Sequence, residues 1–331
     1  MKNPKIVCLG EALVDRLGPF GGDPRTDQPI QDCLGGAPAN VACGLAKLGK
    51  DVAFIGCLGQ DEIGNKFKEC FKSRDVNIVA LQTHKDIPTR VVLVKRDMNG
   101  ERTFGGFEGN QKKIFADQVL DVEKIKDLWF PLVDKANWLV LGTIPLAAEA
   151  SKQSLLWCIE KAYEKNIDIA LDVNWRPTFW DENLSSDASP SSLAVSLIHP
   201  LLERASLIKL AKEEAIWFFN DFDPRSISLS LPQKPSVIVT DGAGPIRWLL
   251  GEFYGEFNAL PPKKVVDTTG AGDSFTAGLI SQILETSLLP TNFLQAEQIV
   301  RFAAACGALV CSAPGAIAPQ PTYSEVIEFL S

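Results

Sequence analysis

Short apolar segments alternate with helical patterns along most of the chain, and this alternation restricts the fold more than any other feature. From residue 117 onward it predicts strands at 137–141, 167–172, 206–210 and 236–240, with intervening helices at 146–165, 192–203 and 212–219. Strand–helix–strand connections make successive strands parallel in one sheet, with helices covering both faces. We therefore expect an α/β fold with a mainly parallel central sheet.

Before residue 117 the pattern adds a second, more exposed set of strands. Segments 89–96 and 101–107 alternate in polarity on either side of Asn99-Gly100, which is typical of a hairpin. The Pro/Gly-rich segment 18–29 is predicted as a loop. We expect one domain over residues 1–331, with a small β-sheet lid that the chain contributes from 12–34 and 87–110.

The composition argues against several classes of function. A net charge of −8 over 331 residues disfavours non-specific nucleic-acid binding and a basic membrane-binding surface. The eight cysteines include no CxxC pair and lie mostly in apolar runs, which predicts buried free thiols and a reducing, cytoplasmic location. The two histidines have no metal-ligand partner at short spacing, so neither a zinc site nor histidine catalysis is expected. The start shows no signal-peptide pattern, and the most apolar segment, 302–313, is too short to span a bilayer.

The segment from Asp267 to Phe275 carries the strongest indication of chemistry. Gly270, Ala271 and Gly272 precede a run with helical spacing, so their backbone N–H groups are expected at a helix N-terminus, where they can bind an anion such as phosphate. Asp273 in the first turn would be placed to accept a proton from a group that attacks that phosphate. The simpler interpretation is a glycine turn with a capping aspartate. Asp267 and two threonines supply more oxygen atoms than a cap needs, which favours the chemical interpretation.

Polar side chains also follow several predicted strands. In open α/β sheets, ligands bind beside the carboxyl ends of the strands, so these residues are expected to converge at one edge. They are Asp15, Asn174, Arg176, Thr240, Asp267 and Asp273. Arg176 would either neutralise a transferring phosphate or pair with an acid at a strand end.

Two signatures resemble those of the PfkB (ribokinase-like) family of sugar and nucleoside kinases. One runs from Gly35-Gly36 through Asn40 to Gly64, and the other is the segment from Asp267 to Phe275. The likeness extends over essentially the whole chain. Within the family, the segments around Asp15 and from Asp172 to Trp180 resemble the fructokinases of bacteria and plants.

The resemblance implies a ribokinase-like three-layer sandwich that transfers phosphate from MgATP to a small sugar. It makes Asp273 the general base and the backbone of Gly270, Ala271 and Gly272 the anion hole. The positions matching sugar contacts are Asp15, Gly35, Gly36 and Asn40, and Arg102 and Phe104 on the hairpin would either close over the sugar or form an exposed lid face. The positions expected near the nucleotide are Asn174, Glu214, Thr240, Gly242, Gly244, Ala305, Gly307 and Ala308.

The same resemblance raises two questions about ions. Asp267, Thr269 and the turn near Gly315 match a loop that binds a monovalent cation, such as K⁺, in many members. Glu214 matches the acid of an Asn-x-x-Glu motif that organises Mg²⁺ through water, but Ala211 occupies the asparagine position. Part of that network must therefore be built differently here.

The substrate and the assembly stay open at this point. D-fructose is the leading acceptor, and 2-keto-3-deoxygluconate and ribose are the alternatives. A catalytically silent member that acts as a binding protein is the alternative of a different class, although the intact Gly270–Asp273 segment argues against it. The resemblance also implies a possible homodimer through the lid.

Overall fold

The computed structural model describes residues 3–98, 102–109, 114–285 and 289–331. The strands in these ranges are β1 (Ile6–Leu9), β2 (Leu13–Phe20), β3 (Gln31–Gly35), β4 (Val52–Gly59), β5 (Leu81–His84), β6 (Val91–Arg96), β7 (Arg102–Phe107), β8 (Trp138–Leu141), β9 (Asp168–Asp172), β10 (Leu207–Ala211), β11 (Ser236–Thr240), β12 (Pro245–Leu250) and β13 (Phe253–Asn258). The α-helices are α1 (Ala37–Lys47), α2 (Glu62–Ser73), α3 (Val122–Val133), α4 (Glu149–Glu164), α5 (Pro177–Trp180), α6 (Ser192–Leu202), α7 (Lys212–Phe219), α8 (Pro224–Ser230), α9 (Ala271–Glu285), α10 (Phe293–Val310) and α11 (Tyr323–Leu330).

The predicted parallel sheet is confirmed. Nine strands form one sheet in the order β13-β12-β11-β10-β9-β8-β1-β4-β5. All pairs from β11 to β5 are parallel, and only β12 and β13 at one edge are antiparallel. The carboxyl ends of the parallel strands therefore share one edge, which is where the site lies.

The central strands are apolar on both sides because helices cover both faces of the sheet. In β1, Val7 and Leu9 pack into a core with residues of α3, α4 and α6, while Ile6 and Cys8 pack into a second core with residues of α1, α9 and α10. One large buried aromatic, Trp129, belongs to the first core, and Phe54 belongs to the second. These two cores define the three layers of the sandwich.

A separate four-stranded sheet, β3-β2-β6-β7, is called the small sheet below. β6 and β7 pair antiparallel, as the hairpin pattern predicts, while the Asn99-Gly100 turn lies outside the described residues. β2 runs from Leu13 to Phe20, so the prediction that the loop begins at Gly18 is wrong. Pairing with β6 extends the strand past Gly18-Pro19, and the register shifts between Leu17 and Phe20 at that point.

Two features of the described chain were not expected from the sequence. The strand β5 and the helix α8 were not predicted, since each is short and has a weak pattern. The apolar helix α10 has 18 residues, and its length and composition alone would suit a membrane span. However, 56 % of it is buried inside the protein, and it packs closely against α9, where a Cβ on Gly278 would lie 3.0 Å from the Ala303 Cα. It is the core helix of a globular protein.

The cysteine prediction is confirmed. All eight cysteines are free thiols. Seven of them are buried, and Cys70 is partly exposed.

Candidate active site

A tight turn places the backbone amides at the start of α9. Gly270 has φ of 78°, and a Cβ at this position would lie 2.5 Å from the Ala316 Cβ, so the turn requires glycine. The N–H of Ala271 donates to the Thr268 carbonyl at 3.2 Å. For the N–H groups of Gly270, Gly272 and Asp273, no acceptor exists among the described residues. Three free amides at the positive end of a helix form a site for an anion.

Asp273 projects from the first turn of α9 beside these amides. Its carboxylate accepts a hydrogen bond of 2.8 Å from the Asn40 Nδ2, which lies on α1. Burial raises the pKa of Asp273 to about 6, and the nearby Asp172 carboxylate adds to this effect, while Asn40, Lys209 and Arg176 act in the opposite direction. The group is therefore ionised at neutral pH and is more basic than an ordinary aspartate.

A cavity of about 470 Å³ lies between this turn and the small sheet. It brings together side chains from distant parts of the chain, as the strand-end pattern predicts. Its lining includes Asp15, Gly36, Asn40, Arg102, Phe104, Asn174, Arg176 and the segment 268–273. Gly35 lies just behind this lining, since a Cβ there would be 3.3 Å from the Asp15 Oδ2.

Three charged groups of the cavity wall show how its electrostatics are arranged. Burial raises the pKa of Asp15 to about 6, although Arg102 and Arg176 oppose the shift. The Arg176 Nη1 donates to the carbonyl of Trp175 at 3.0 Å, which leaves the rest of the guanidinium facing the cavity. Asn174 has φ of 42°, a left-handed conformation that is uncommon outside glycine and that occurs often at functional sites.

The sequence interpretation missed Glu11, a buried acid on the floor of the cavity. Its Oε1 accepts a 2.9 Å hydrogen bond from the Ala37 N–H at the start of α1. Its Oε2 and the Oδ1 of Asn40 are both buried and have no partner in the described part of the chain. Burial raises the pKa of Glu11 to about 8. Two unpartnered buried oxygens that line one cavity are expected where a ligand supplies hydroxyl groups, which both donate and accept hydrogen bonds.

Lys209 is a second residue that the sequence interpretation missed. Lys209 is the middle residue of β10, and its ammonium group contacts both carboxylate oxygens of Asp172, at 3.0 and 3.1 Å. A Cβ on Gly272 would lie 2.8 Å from the Lys209 Nζ, so the charge lies directly beside the anion-binding turn. Burial disfavours this charge, but the carboxylates of Asp172, Glu214 and Asp273 outweigh burial and raise the pKa of Lys209. The only sequence signal was an isolated lysine within an apolar strand.

Glu214 is not part of the cavity lining, and each of its carboxylate oxygens accepts a hydrogen bond from a backbone N–H group. Its Oε1 accepts from the Trp175 N–H at 2.6 Å, and its Oε2 accepts from the Ala211 N–H at 2.7 Å. The side chain is buried, and burial raises its pKa. The carboxylate thus ties the end of β9 to the start of α7.

A second cavity of about 520 Å³ lies on the other side of the anion-binding turn. Four of the residues expected near a nucleotide line it, namely Thr240, Gly242, Gly307 and Ala308. Ala305 instead is fully buried in the core, and Gly244 lies in the adjacent turn, where its N–H donates to the Asp241 carbonyl. Residues 268, 271 and 272 line both cavities, so the two spaces meet at the free amides.

The remaining predicted residues form a compact loop. Asp267 accepts hydrogen bonds from Thr269 and Gly315, and the guanidinium of Arg102 contacts both Asp267 and Thr269. In the described residues, no group of three or more His, Cys, Asp or Glu side chains is arranged to hold a metal ion. A divalent ion at this site would therefore depend on oxygens of its own ligand and on water.

Comparisons with known proteins agree with this geometry. The model of the pfkB family carbohydrate kinases matches residues 3–323. The chain is 32 % identical to probable fructokinase-6, chloroplastic, of Arabidopsis thaliana, over 99 % of this chain and 83 % of that protein. It is 31 % identical to a fructokinase of Salmonella typhimurium, over 96 % of this chain and 97 % of that protein. A fructokinase of Xylella fastidiosa, solved with bound ATP, superposes with a TM-score of 0.80 at 26 % identity, covering 98 % of this chain and 97 % of that one.

Proposed function

Since the chain belongs to the pfkB family of carbohydrate kinases and is a sugar phosphotransferase, we propose that it transfers the γ-phosphoryl group of ATP to a primary hydroxyl of D-fructose. One observation carries this proposal. The Asp273 carboxylate and three free amides lie where two cavities meet, so an alcohol in one cavity and a terminal phosphate from the other would come together at the base.

The cavity beneath the small sheet suits a small polyol. The unpartnered Oδ1 of Asn40 and the Asp15 carboxylate are acceptors for sugar hydroxyl groups. The Glu11 carboxyl, whose pKa burial raises to about 8, is protonated at neutral pH and donates to a sugar oxygen. Phe104 supplies an apolar wall on the opposite side. The names of the similar proteins support fructose as the acceptor.

Asp273 acts as the general base for the attacking hydroxyl. With a pKa of about 6 it cannot ionise a sugar hydroxyl in the ground state, but it accepts the proton late, as bond formation to phosphorus makes the hydroxyl acidic. Such assistance contributes roughly 10²–10⁴-fold to the rate. The hydrogen bond from Asn40 orients the carboxylate toward the cavity.

Positive charge at the turn stabilises the transferring phosphoryl group. The amides of Gly270, Gly272 and Asp273 are already aimed before any ligand arrives, which is the condition for a large electrostatic contribution. Lys209 and Arg176 add two cations at the wall of the same cavity. Mg²⁺ bound to ATP, when present, neutralises phosphate charge, and the described side chains provide no separate cage for it.

The nucleotide cavity is largely apolar and is lined by small residues of α10, which suits a flat base. Gly307 and Ala308 leave the space open, and Thr240 and Gly242 supply polar contacts at its rim. We infer that adenine occupies this cavity and that the phosphate chain extends toward residues 270–272.

The decisive experiment is an ADP-release assay with a panel of acceptors that includes D-fructose, D-ribose and 2-keto-3-deoxygluconate. We expect fructose to give the highest kcat/KM. Asp273→Asn should lose roughly 10²–10⁴-fold in kcat with little change in the KM for sugar. If another acceptor gives a higher kcat/KM, the kinase activity is supported but fructose is not its preferred substrate. If no acceptor gives ADP release, the chain is better explained as a catalytically silent binding protein.

Two further properties stay predictions. The free thiols support a reducing, cytoplasmic location. The exposed side chains of Phe20 and Ile30, which flank the loop of the small sheet, are compatible with pairing of two chains through that sheet. Light scattering on the purified protein tests the dimer directly.

A further inference from the structure

The carboxylate of Asp267 has no free acceptor position. Its Oδ1 accepts from the Thr269 N–H at 3.0 Å and from the Thr269 hydroxyl at 2.7 Å. Its Oδ2 accepts from the Gly315 N–H at 2.7 Å and from the Arg102 Nη2 at 2.8 Å. A carboxylate has about four lone-pair sites, and all of them are used by these four donors.

Arg102 reaches this carboxylate from β7 of the small sheet. Its Nη2 donates to Asp267, and its Nη1 donates to the Thr269 hydroxyl oxygen at 2.9 Å. The Thr269 hydroxyl in turn donates a hydrogen bond to Asp267, so each donor in the network has an acceptor. The planar guanidinium is suited to this two-point contact in a way that a compact ammonium is not.

The position of the guanidinium conflicts with a monovalent cation at the same loop. The family resemblance assigns Asp267, Thr269 and the turn near Gly315 to such an ion. Here Arg102 contacts the side-chain oxygens of the first two, and the Asp267 side chain is only 2 % exposed. An added cation would be held beside an existing positive charge in a largely buried site, with no carboxylate lone pair left to bind it.

We propose that Arg102 replaces the monovalent cation in this chain. Its charge neutralises Asp267 and fixes residues 267–269, which lead directly into the anion-binding turn at Gly270. The same contact fastens β7 to that turn, so the small sheet itself supplies the charge that an ion would otherwise supply. The wild-type protein therefore neither binds nor needs K⁺ at this loop.

The alternative is that Arg102 contacts Asp267 only when the cavities are empty. Arg102 also lines the sugar cavity, so bound sugar or phosphate could draw it away and free the loop for an ion. If Arg102 stays on Asp267, K⁺ should not change the melting temperature of the liganded wild-type protein. If ligands draw Arg102 away, K⁺ should raise it. The test therefore includes protein with and without fructose and ADP.

The experiment compares wild type with Arg102→Met, Arg102→Lys and the double variant Arg102→Met/Asp267→Asn. Thermal unfolding is measured against KCl, with tetramethylammonium chloride keeping the ionic strength constant so that screening does not change. An ion that binds the folded state alone raises the melting temperature in a saturable way. This readout requires no turnover, so its result does not depend on whether the acceptor is fructose.

For wild type we expect the same melting curve in both salts, with or without ligands. Arg102→Met should gain a saturable stabilisation by K⁺, and the double variant should lose it again. In the ADP-release assay, Arg102→Met should be activated about tenfold or more by K⁺, because the ion restores order in the anion-binding turn, while wild type is unaffected. Arg102→Lys should also respond to K⁺, because an ammonium group cannot make the two-point contact of the guanidinium. If Arg102→Met does not fold, Arg102→Lys is used in its place.

Two outcomes would overturn the proposal. One is saturable stabilisation of wild type by K⁺, either alone or only with fructose and ADP, which would show that the loop takes the ion while Arg102 is present. The other is the absence of any K⁺ response in both single variants, which would show that the loop is not a cation site even when vacated. If Arg102→Met is stabilised by K⁺ but the wild-type protein releases no ADP with any acceptor, the proposed function is contradicted while the proposal about Arg102 stands.

Discussion

In the proposed mechanism, the pH dependence of the reaction follows from the ionisation state of one side chain, Asp273. Only its ionised form can take a proton, and burial raises its pKa to about 6. The pH profile of log kcat/KM for fructose reports ionisation in the enzyme before the sugar binds, so it should fall as the pH drops below about 6 and stay level above it. A profile that is flat down to pH ~4, the value of an ordinary aspartate, would contradict this assignment.

The matched control is Asp15→Asn, because burial also raises the pKa of Asp15 to about 6. Asp15 contacts the sugar in the proposed arrangement, so its loss should raise the KM for fructose. The limb near pH 6 in kcat/KM should remain. If that limb disappears, Asp15 rather than Asp273 controls the profile.

Lys209 provides a second test at the scale of single residues. Removing its charge in Lys209→Met should lower kcat by about 10²-fold, comparable to the loss of one preorganised donor to a developing charge. Among the residues that the structure describes, the variant also leaves buried Asp172 with the Thr276 hydroxyl as its one remaining side-chain partner, at 3.0 Å, which destabilises the fold. ADP release and urea unfolding are measured in parallel.

The double variant Lys209→Met/Asp172→Asn separates the two effects. It removes the unpaired charge, so stability should return in large part while kcat stays low. A double variant with near-normal kcat would show that Lys209 is only a structural partner of Asp172.

At the scale of elements, Arg90 anchors the small sheet to the body of the protein. It precedes β6 and forms a buried ion pair with Asp117, with both side chains 3 % exposed. Its guanidinium also lies 4.7–5.0 Å from the ring centroids of Phe107, Phe115 and Phe179. These rings come from β7, from the segment after the hairpin and from α5. The base of the small sheet is thus fixed by one cation.

Arg90→Met should lower the free energy of unfolding by about 3–5 kcal/mol, because it leaves Asp117 buried without its partner. Urea unfolding measures this loss. Arg90→Met/Asp117→Asn should recover part of it, since no uncompensated charge remains. If the single variant loses less than about 1 kcal/mol, the pair is not a structural anchor.

Elements were predictable where their causes are local. The start of α9 was predictable from Gly270, because glycine adopts a φ of 78° more readily than residues with a Cβ. The parallel strands were predictable from continuous apolar runs. The extension of β2 through Gly18-Pro19 was not predictable, because it results from pairing with β6, a strand contributed by a distant part of the chain. Tertiary pairing overrode the local turn signal there.

The same distinction applies to the whole site. The turn at residues 270–272, Asp273 and Asn40 were predicted as site residues from two short signatures, and the structure brings Asn40 and Asp273 into contact although they are 233 positions apart. The contact of Arg102 with Asp267 spans 165 positions and follows from no local pattern, because it depends on how the small sheet lies over the turn. Lys209, in an apolar strand, and Glu11, between β1 and β2, were missed for the same reason: an isolated charged residue becomes informative only once its distant partners are known.

The arrangement of two cavities on either side of one turn makes a prediction for the molecule as a whole. Ala308 on α10 lines the second cavity, and Ala308→Phe should fill part of it. We expect the KM for ATP to rise by about tenfold or more while the KM for fructose stays unchanged, because the sugar cavity lies beyond residues 270–272. Leu309→Phe is the control, since Leu309 packs on another side of the same helix, against the core that contains Leu48 and Val326. The KM for each substrate is measured by steady-state kinetics, with one substrate varied at a time. An unchanged KM for ATP in Ala308→Phe would place the nucleotide elsewhere. An equal rise in both KM values would mean that the substitution distorts the turn that the two cavities share.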